Sequence, residues 1–212
     1  MPSPKVLFYP NTKYHIYNHA SGFENMFTKD EHYISFLNRY AFHCSDVFST
    51  YAWALMPNHF HFVVSIKSLE AINDRIFKRK GISYKINAMD ENYEVNFSNY
   101  VSRVFSTFLG SYVQYYNKNM KRKGNLVRQN SKRKIIIDDA YFKQSIKYLH
   151  WNPVKHEFCN NPREYAFTSY YDYLNRDSSL IKFKPVIKLF GGYKKFLRSH
   201  EDENILNFEI EK

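Results

Sequence analysis

Cysteine is scarce in this 212-residue sequence, and long apolar runs are missing from it. The spacing of the two cysteines, Cys44 and Cys159, fits neither a metal motif nor a redox motif, which argues against a disulfide scaffold. No apolar stretch approaches the length of a membrane span, and the N-terminal residues 1–5 do not resemble a signal peptide. The sequence therefore predicts a chain of a reducing, cytoplasmic compartment without a membrane partner.

Acidic residues are also under-represented. Asp plus Glu number 20 against 31 for Lys plus Arg, which gives a formal net charge of +11 and an isoelectric point near 9.4. A basic excess of this size favours a polyanionic partner, nucleic acid before membrane. Aromatic residues reach 19%, so they can fill a core and could also stack on bases.

Hydrophobic periodicity predicts an α+β domain. Alternation typical of strands occurs over 13–18, 48–55 and 59–66, and helical spacing occurs over about 30–43, 69–77, 98–116 and 140–151. Thr28 or Asp30 is a candidate cap for the first long helix, and Asp138 or Asp139 for the last. A strand-like run at 135–137 and a short helix over 165–173 complete the prediction. The composition changes at Arg176, so we expect one domain over 1–175. A C-terminal extension of small helices and an acidic tail would then cover 176–212.

Two histidines stand one residue apart in the third predicted strand. His59 and His61 share one face of that strand, whereas Phe60, Phe62 and Val64 share the other. Two imidazoles side by side can offer nitrogen ligands to one divalent metal. The alternative is a pair of structural histidines that are hydrogen-bonded in the interior or exposed at the surface.

The end of the last long helix carries a second candidate pair. Tyr148 and Asn152 are four residues apart and project from the same side of the helix, which we expect to stop at Pro153. The Asn152 amide oxygen could be a third metal ligand, in a site suited to Mg²⁺ or Mn²⁺ as well as Zn²⁺. A metal there could activate a phosphodiester for attack by the Tyr148 hydroxyl. The alternative is that Tyr148 is one of many packing tyrosines and that Asn152 belongs to an ordinary turn.

A basic stretch precedes this helix. Eight Lys and Arg residues and no acid lie between Lys118 and Lys134. A run of like charges is commonly a solvated loop, but this one leads directly into a predicted strand, which favours contacts with phosphates. The predicted DNA contacts are Arg128, Lys132, Arg133, Lys134 and Lys155.

Three motifs together resemble one family. Pro57-Asn58-His59-Phe60-His61 resembles the HUH motif (histidine, hydrophobic residue, histidine) of single-tyrosine transposases. The stretch 148–155, Tyr-Leu-His-Trp-Asn-Pro-Val-Lys, resembles the tyrosine helix of the REP-associated tyrosine transposase branch, and Phe-Thr-Ser-Tyr at 167–170 resembles a signature further along. The sequence departs from this branch at Asn18-His19-Ala20, where Asn-Arg-Gly is usual, and around 126–132.

The resemblance implies a ferredoxin-like fold, also described as RRM-like, in which a central antiparallel sheet with flanking helices carries the histidines. It further implies His59, His61 and Asn152 as ligands of Mg²⁺ or Mn²⁺ and Tyr148 as the nucleophile. The implied reaction is cleavage and rejoining of single-stranded DNA beside a hairpin through a covalent 5′-phosphotyrosine. We expect a bacterial cytoplasmic enzyme that associates with the nucleoid, as a monomer rather than a dimer. The alternative from another class is a non-catalytic module that binds single-stranded DNA or RNA hairpins.

Overall fold

The sheet is the centre of the computed structural model, which describes residues 6–80, 85–201, 205 and 208. Within these residues, one antiparallel sheet contains the strands β1 (Lys13–His19), β2 (Phe48–Met56), β3 (His59–Ile66) and β4 (Lys132–Ile135). Their order across the sheet is β2-β3-β1-β4. The helices are α1 (Asp30–Cys44), α2 (Leu69–Lys80), α3 (Tyr93–Asn119), α4 (Asp139–Lys155), α5 (Tyr170–Asn175), α6 (Phe183–Leu189) and α7 (Tyr193–Ser199).

One face of the sheet is apolar and covered by α1 and α3. Phe60 and Phe62 of β3 are fully buried there, and the Phe62 ring stacks on Tyr40 of α1 at a centroid distance of 4.2 Å. Phe36 of α1 also packs edge-on against Phe108 of α3. Aromatic bulk from both helices and the central strand therefore forms the main core, as the alternation within β3 predicts.

The other face of the sheet carries the histidines and is covered by α4. Phe142 of α4 packs against Tyr51 of β2, with ring centroids 5.0 Å apart. Asp138 caps the helix by accepting a 2.7 Å hydrogen bond from the backbone N–H of Tyr141, which confirms one of the two caps predicted for it. The sheet is thus sandwiched between α1 and α3 on one side and α4 on the other.

The architecture confirms the predicted fold class. The order β1-α1-β2-β3-α3-β4, with β1 between β3 and β4, is the antiparallel arrangement of a ferredoxin-like sheet. In the described part of the chain no helix is both long enough and apolar enough to cross a membrane. The predicted acidic tail lies outside the described residues except at 201, 205 and 208.

The fourth strand differs from the prediction. It occupies Lys132–Ile135, so the basic residues themselves form the edge of the sheet, whereas the sequence predicts a strand at 135–137. An edge strand has one neighbour and keeps an open side, which is why charged side chains are tolerated along it. Ile136, just beyond the strand, still donates its N–H to the Lys13 carbonyl.

Three helical boundaries also differ. Helix α3 begins at Tyr93, five residues before the predicted start, and α4 continues through Pro153 to Lys155. The proline lacks only its own N–H, and the next turn still closes because His156 donates to the Asn152 carbonyl at 3.1 Å. Residues 165–169 run beside β2 instead of forming a helix, since the Leu55 N–H donates to the Phe167 carbonyl.

Candidate active site on the histidine face

The β2–β3 hairpin fixes His59 at the start of its strand. The two-residue turn Pro57–Asn58 joins Met56 directly to His59, and these two residues pair across the hairpin. The Asn58 Oδ1 lies 2.7 Å from Nδ1 of His59. An amide oxygen only accepts, so Nδ1 of His59 carries the proton. In the neutral imidazole the lone pair therefore belongs to Nε2, which points away from the turn.

Helix α4 brings Tyr148 and Asn152 to the same face of the sheet. Both side chains are buried, and the Asn152 Oδ1 lies 3.1 Å from Nε2 of His59. These two residues are 93 positions apart in the sequence. The strand that carries the histidines therefore meets the helix that carries the tyrosine.

The His59–Asn152 contact brings two electron-rich atoms together. With Nδ1 of His59 donating to Asn58, Nε2 presents a lone pair, and the Asn152 Oδ1 has no proton to offer. Two such atoms at 3.1 Å are stabilised by a second proton on His59, by a bound cation, or by a turn of the Asn152 amide that lets its NH2 group donate to Nε2. The Asn152 Nδ2 is buried and has no hydrogen-bond partner in the structure, so the amide contributes only its oxygen to a polar contact.

His61 lies next to His59 on the same strand face. Their ring centroids are 5.1 Å apart, and Nδ1 of His61 lies 2.9 Å from Nε2 of His15 on β1. Burial, together with the neighbouring imidazole of His15, holds the pKa of His61 well below its usual value. His61 is therefore neutral at physiological pH, which is the form of histidine that ligates metals.

Tyr148 lies above the two inner histidines. Its ring is edge-on to His61 and to His15, at centroid distances of 6.1 and 6.4 Å. Phe208 lies on another side at 5.9 Å, and its carbonyl accepts a hydrogen bond from Nζ of Lys155. Tyr148 is therefore buried between the inner histidines and Phe208.

The donor set of this site fits a divalent metal of intermediate hardness. Among the described residues, no three His, Cys, Asp or Glu side chains are placed to hold a metal ion, so a third ligand must be of another type. The Asn152 Oδ1 is a donor atom of such a type. It lies 3.1 Å from Nε2 of His59. Two adjacent ligand atoms that each lie ~2.1 Å from the same metal are expected to be ~3 Å apart, so the observed distance is close to that value. Two imidazoles and an amide oxygen with open positions suit Mn²⁺ as well as Mg²⁺.

The basic residues of β4 divide between the two faces. Lys134 pairs with His15 and Lys132 with Tyr17, and directly paired residues of an antiparallel sheet point to the same face. Both lysines therefore lie on the histidine face, and Nζ of Lys132 is 5.9 Å from the centre of the Tyr17 ring. These two lysines place cationic side chains at the edge of the histidine face.

Arg133 points to the opposite face. Its guanidinium lies 3.8 Å from the centre of the Phe8 ring and donates to the Val6 carbonyl and to Oγ of Ser102, on α3. Burial lowers its pKa to about 10. The structure thus separates Arg133 from the two lysines with which the sequence groups it.

The two remaining predicted DNA contacts flank the histidine face. Arg128 is exposed, and its backbone N–H donates to the carbonyl of His19 at the end of β1. Nζ of Lys155, at the end of α4, is 5.3 Å from the centre of the Tyr148 ring. Arg128 and Lys155 therefore lie at two different borders of the site.

Sequence reasoning missed three histidines and a tyrosine in this site. His15, Tyr17 and His19 alternate along β1 and face His61 and His59, since Tyr17 pairs with His61 and His19 with His59. His156, just after α4, packs edge-on against His59 at 4.8 Å. The alternation in β1 puts its three residues on one face. Only the pairing with β3 shows that this face is the one with the HUH histidines.

The comparisons with known proteins agree with this architecture. No protein-family model and no curated protein matches the sequence. Among solved structures, the chain is similar to a REP-associated tyrosine transposase bound to a REP hairpin, with 12% sequence identity and a TM-score of 0.57. The match covers 87% of this chain and 96% of that one. This likeness confirms the fold implied by the three motifs, and the chain therefore has the fold of a REP-associated tyrosine transposase.

Proposed function

We propose that this protein is a metal-dependent endonuclease and strand transferase that acts on single-stranded DNA beside a hairpin, as a member of the REP-associated tyrosine transposase branch. The observation that carries the proposal is the contact between His59 on β3 and Asn152 on α4. It brings the HUH pair next to the helix of the tyrosine motif. The fold shared with a transposase bound to a REP hairpin supports DNA hairpins as the substrate class.

In the proposed reaction Tyr148 is the nucleophile. Its oxygen forms a bond to the scissile phosphorus, the bond from phosphorus to the 3′ oxygen breaks, and the strand leaves with a free 3′-hydroxyl. The 5′ phosphate stays on the tyrosine, and attack by a 3′-hydroxyl on this linkage rejoins a strand without an external energy source. Cleavage and transfer are thus the same step in opposite directions.

Each remaining residue has a defined task in this proposal. His59, His61 and Asn152 would hold the divalent metal, Mg²⁺ or Mn²⁺, and that metal would polarise the phosphate oxygens and stabilise the charge that develops on them. Lys132 and Lys134 would bind the backbone of the strand that enters the histidine face. We expect the protein to act as a monomer in the bacterial cytoplasm, where its DNA is.

A non-catalytic hairpin-binding module is the second candidate. The burial of Tyr148 next to Phe208 favours it, because a nucleophile must be reachable. Under this alternative the basic edge strand and the aromatic face would bind DNA, and the histidines would be structural.

A covalent adduct assay separates the two candidates. Full-length protein is incubated with Mn²⁺ and hairpin DNA labelled on the 3′ side of the expected cleavage site, and protein-linked label is separated by denaturing electrophoresis. We expect an adduct for the wild type and for Tyr115→Phe, a matched tyrosine of α3, and none for Tyr148→Phe. An adduct that persists in Tyr148→Phe would exclude Tyr148 as the nucleophile. No adduct with any hairpin of the set, despite binding, would favour the non-catalytic module.

The metal ligands are tested with the same assay. We expect His59→Ala and His61→Ala to lose the adduct while they keep most of their DNA affinity, since affinity comes mainly from phosphate contacts. Normal cleavage by both variants would contradict the assignment of the site.

A further inference from the structure

The segment from 176 to 200 forms a strongly basic surface that the proposed site does not use. It carries seven basic residues and one acid, Asp177. All seven basic side chains are exposed: Arg176, Lys182, Lys184, Lys188, Lys194, Lys195 and Arg198. None of these seven residues, which we call the C-terminal basic surface, makes an ion pair with a carboxylate among the described residues. Because these side chains are exposed, they can contact an outside partner.

This surface is fixed on the helix that carries Tyr148. His150 of α4 and His200, just after α7, are joined by a 2.8 Å Nδ1···Nε2 hydrogen bond, and both are buried. The His200 carbonyl also accepts from Nε1 of Trp151. Two buried polar contacts between α4 and the end of α7 hold the C-terminal basic surface in a constant position relative to the candidate nucleophile.

Helix α4 itself carries two further basic residues close to the C-terminal extension. Lys143 and Lys147 are one turn apart on this helix, and Nζ of Lys143 lies 5.9 Å from the centre of the Phe190 ring between α6 and α7. Lys147 is close enough to His200 for its charge to oppose protonation of that imidazole, which adds to the larger effect of burial in lowering the pKa of His200 to about 3. Two lysines of the helix that carries Tyr148 therefore lie beside the C-terminal basic surface.

We propose that the C-terminal basic surface binds the single-stranded DNA that continues from the hairpin past the phosphate attacked by Tyr148. The inference rests on the proposed function, which supplies the substrate, and extends it to DNA beyond the hairpin. Lys and Arg that neutralise backbone phosphates give affinity without sequence preference. The surface therefore favours substrates with a flank over bare hairpins.

The chemistry of the surface argues against an anionic membrane as its partner. Helices that bind membranes pair their basic face with an exposed apolar face. Here Val186 of α6 and Phe196 of α7 are buried, and the other large aliphatic and Phe side chains of these helices pack, partly buried, against the core: Phe183, Ile187, Leu189 and Leu197. No large apolar side chain is strongly exposed in the described residues from 176 to 200. A purely electrostatic surface suits a flexible polyanion such as single-stranded DNA.

The test measures how salt affects binding to two DNAs, a bare hairpin and the same hairpin with a single-stranded flank. The triple variant Lys188→Gln/Lys194→Gln/Arg198→Gln is compared with a control of equal charge loss elsewhere, Lys29→Gln/Lys78→Gln/Lys85→Gln. On the flanked hairpin we expect the slope of log Kd against log salt to fall by about 2 in the triple variant, as three contacts of ~0.7 each are lost. On the bare hairpin, and in the control on either DNA, we expect the wild-type slope.

Three outcomes would overturn the inference. They are equal slopes for the triple variant and the wild type, equal losses on both DNAs, or binding to vesicles of anionic phospholipid that exceeds binding to the flanked hairpin. Thermal melts that match the wild type show that the substitutions leave the fold intact. The proposed function fails separately. If the wild type shows the flank-dependent slope but forms no adduct, the surface assignment stands and the catalytic one does not.

Discussion

The imidazoles of His15 and His61 are joined by a hydrogen bond of 2.9 Å between Nε2 of the first and Nδ1 of the second. The two rings are stacked with centroids 5.1 Å apart, and both residues are fully buried. When Nδ1 of His61 donates to His15, Nε2 of His61 keeps the lone pair that a metal requires. Metal-bound histidines commonly donate their other ring nitrogen to a neighbouring acceptor, and His15 is placed to be that acceptor.

We predict that His15 acts on metal affinity by orienting His61. In His15→Ala we expect Mn²⁺ to bind about 10- to 100-fold more weakly, the range typical for loss of such an outer partner. His15→Gln, which can accept through its amide oxygen, should restore part of the affinity. Mn²⁺ titration followed by electron paramagnetic resonance measures this without any substrate, and His43→Ala on α1 is the control.

A spectroscopic signature distinguishes orientation from a general loss of packing. Nitrogen-detected NMR of the histidine rings should show the wild-type His61 as the tautomer with its proton on Nδ1, and a mixture of tautomers in His15→Ala. Unchanged Mn²⁺ affinity together with an unchanged tautomer would contradict the role given to His15.

The two lysines of β4 should dominate the electrostatics of the histidine face. We predict that Lys132→Gln/Lys134→Gln weakens binding to hairpin DNA and lowers the salt slope by roughly 1 to 2, as one or two phosphate contacts are lost. Arg133→Gln should leave the slope unchanged, because its side chain packs on Phe8 on the other face of the sheet. It should instead lower the unfolding midpoint. A slope that falls as much in Arg133→Gln as in the double lysine variant would contradict this division.

The division between the faces shows what local sequence cannot specify. The alternation of β3 predicts that His59 and His61 share a face and that Phe60 and Phe62 pack on the opposite side, and the structure has this arrangement. The run Lys132-Arg133-Lys134 has no apolar partner of its own to indicate a strand or its inward face. Pairing with β1, more than 100 residues earlier in the chain, turns Arg133 inward and the two lysines toward the site.

The contact that assembles the site is likewise non-local. Periodicity predicts that Tyr148 and Asn152 share one side of α4, and strand alternation predicts the shared face of His59 and His61. Neither pattern predicts that this side of the helix lies on that face of the sheet. The resemblance to a family implies this contact. In the structure Nε2 of His59 lies 3.1 Å from Oδ1 of Asn152, although the two residues are 93 positions apart in the sequence. His15 was missed for the same reason, since its role depends on which strand lies next to β1.

The buried His150–His200 pair should make the protein sensitive to acid. Burial lowers the pKa of His200 to about 3, so its imidazole is neutral in the folded state at pH 5, and burial also holds the pKa of His150 well below its usual value. In the unfolded chain each takes up a proton as the pH falls below ~6.5, which stabilises the unfolded state. Between pH 7.5 and 5.0 we expect the free energy of unfolding to drop by about 2 kcal/mol through His200, with a further drop in the same direction through His150.

A single substitution isolates this contribution. His200→Phe can keep the stacking on Tyr170 but removes one titrating group, so it should be less stable than the wild type at pH 7.5 and lose about 2 kcal/mol less on acidification. Urea unfolding at the two pH values measures both quantities. An identical drop in wild type and variant would show that His200 does not set the acid sensitivity.

The oxygen of Asn152 provides the most direct test of the metal site. In Asn152→Asp a carboxylate replaces the amide opposite Nε2 of His59, so a divalent cation gains an anionic ligand and we expect Mn²⁺ to bind more tightly than in the wild type. Asn152→Leu keeps a similar volume but offers no ligand, and should bind Mn²⁺ at least about 10-fold more weakly than the wild type.

The measurement is again Mn²⁺ binding without DNA, with thermal melts as the check on folding. Asn152→Leu removes the buried, unpartnered Nδ2 as well, so the fold should not be weakened by a lost hydrogen bond from that atom. The metal-free proteins offer an independent comparison. Without a cation, the carboxylate of Asn152→Asp should favour the protonated His59, which raises the pKa of that imidazole and can be followed by NMR. If Mn²⁺ affinity is the same in the Asp, Leu and wild-type proteins, a metal is not held between His59 and Asn152.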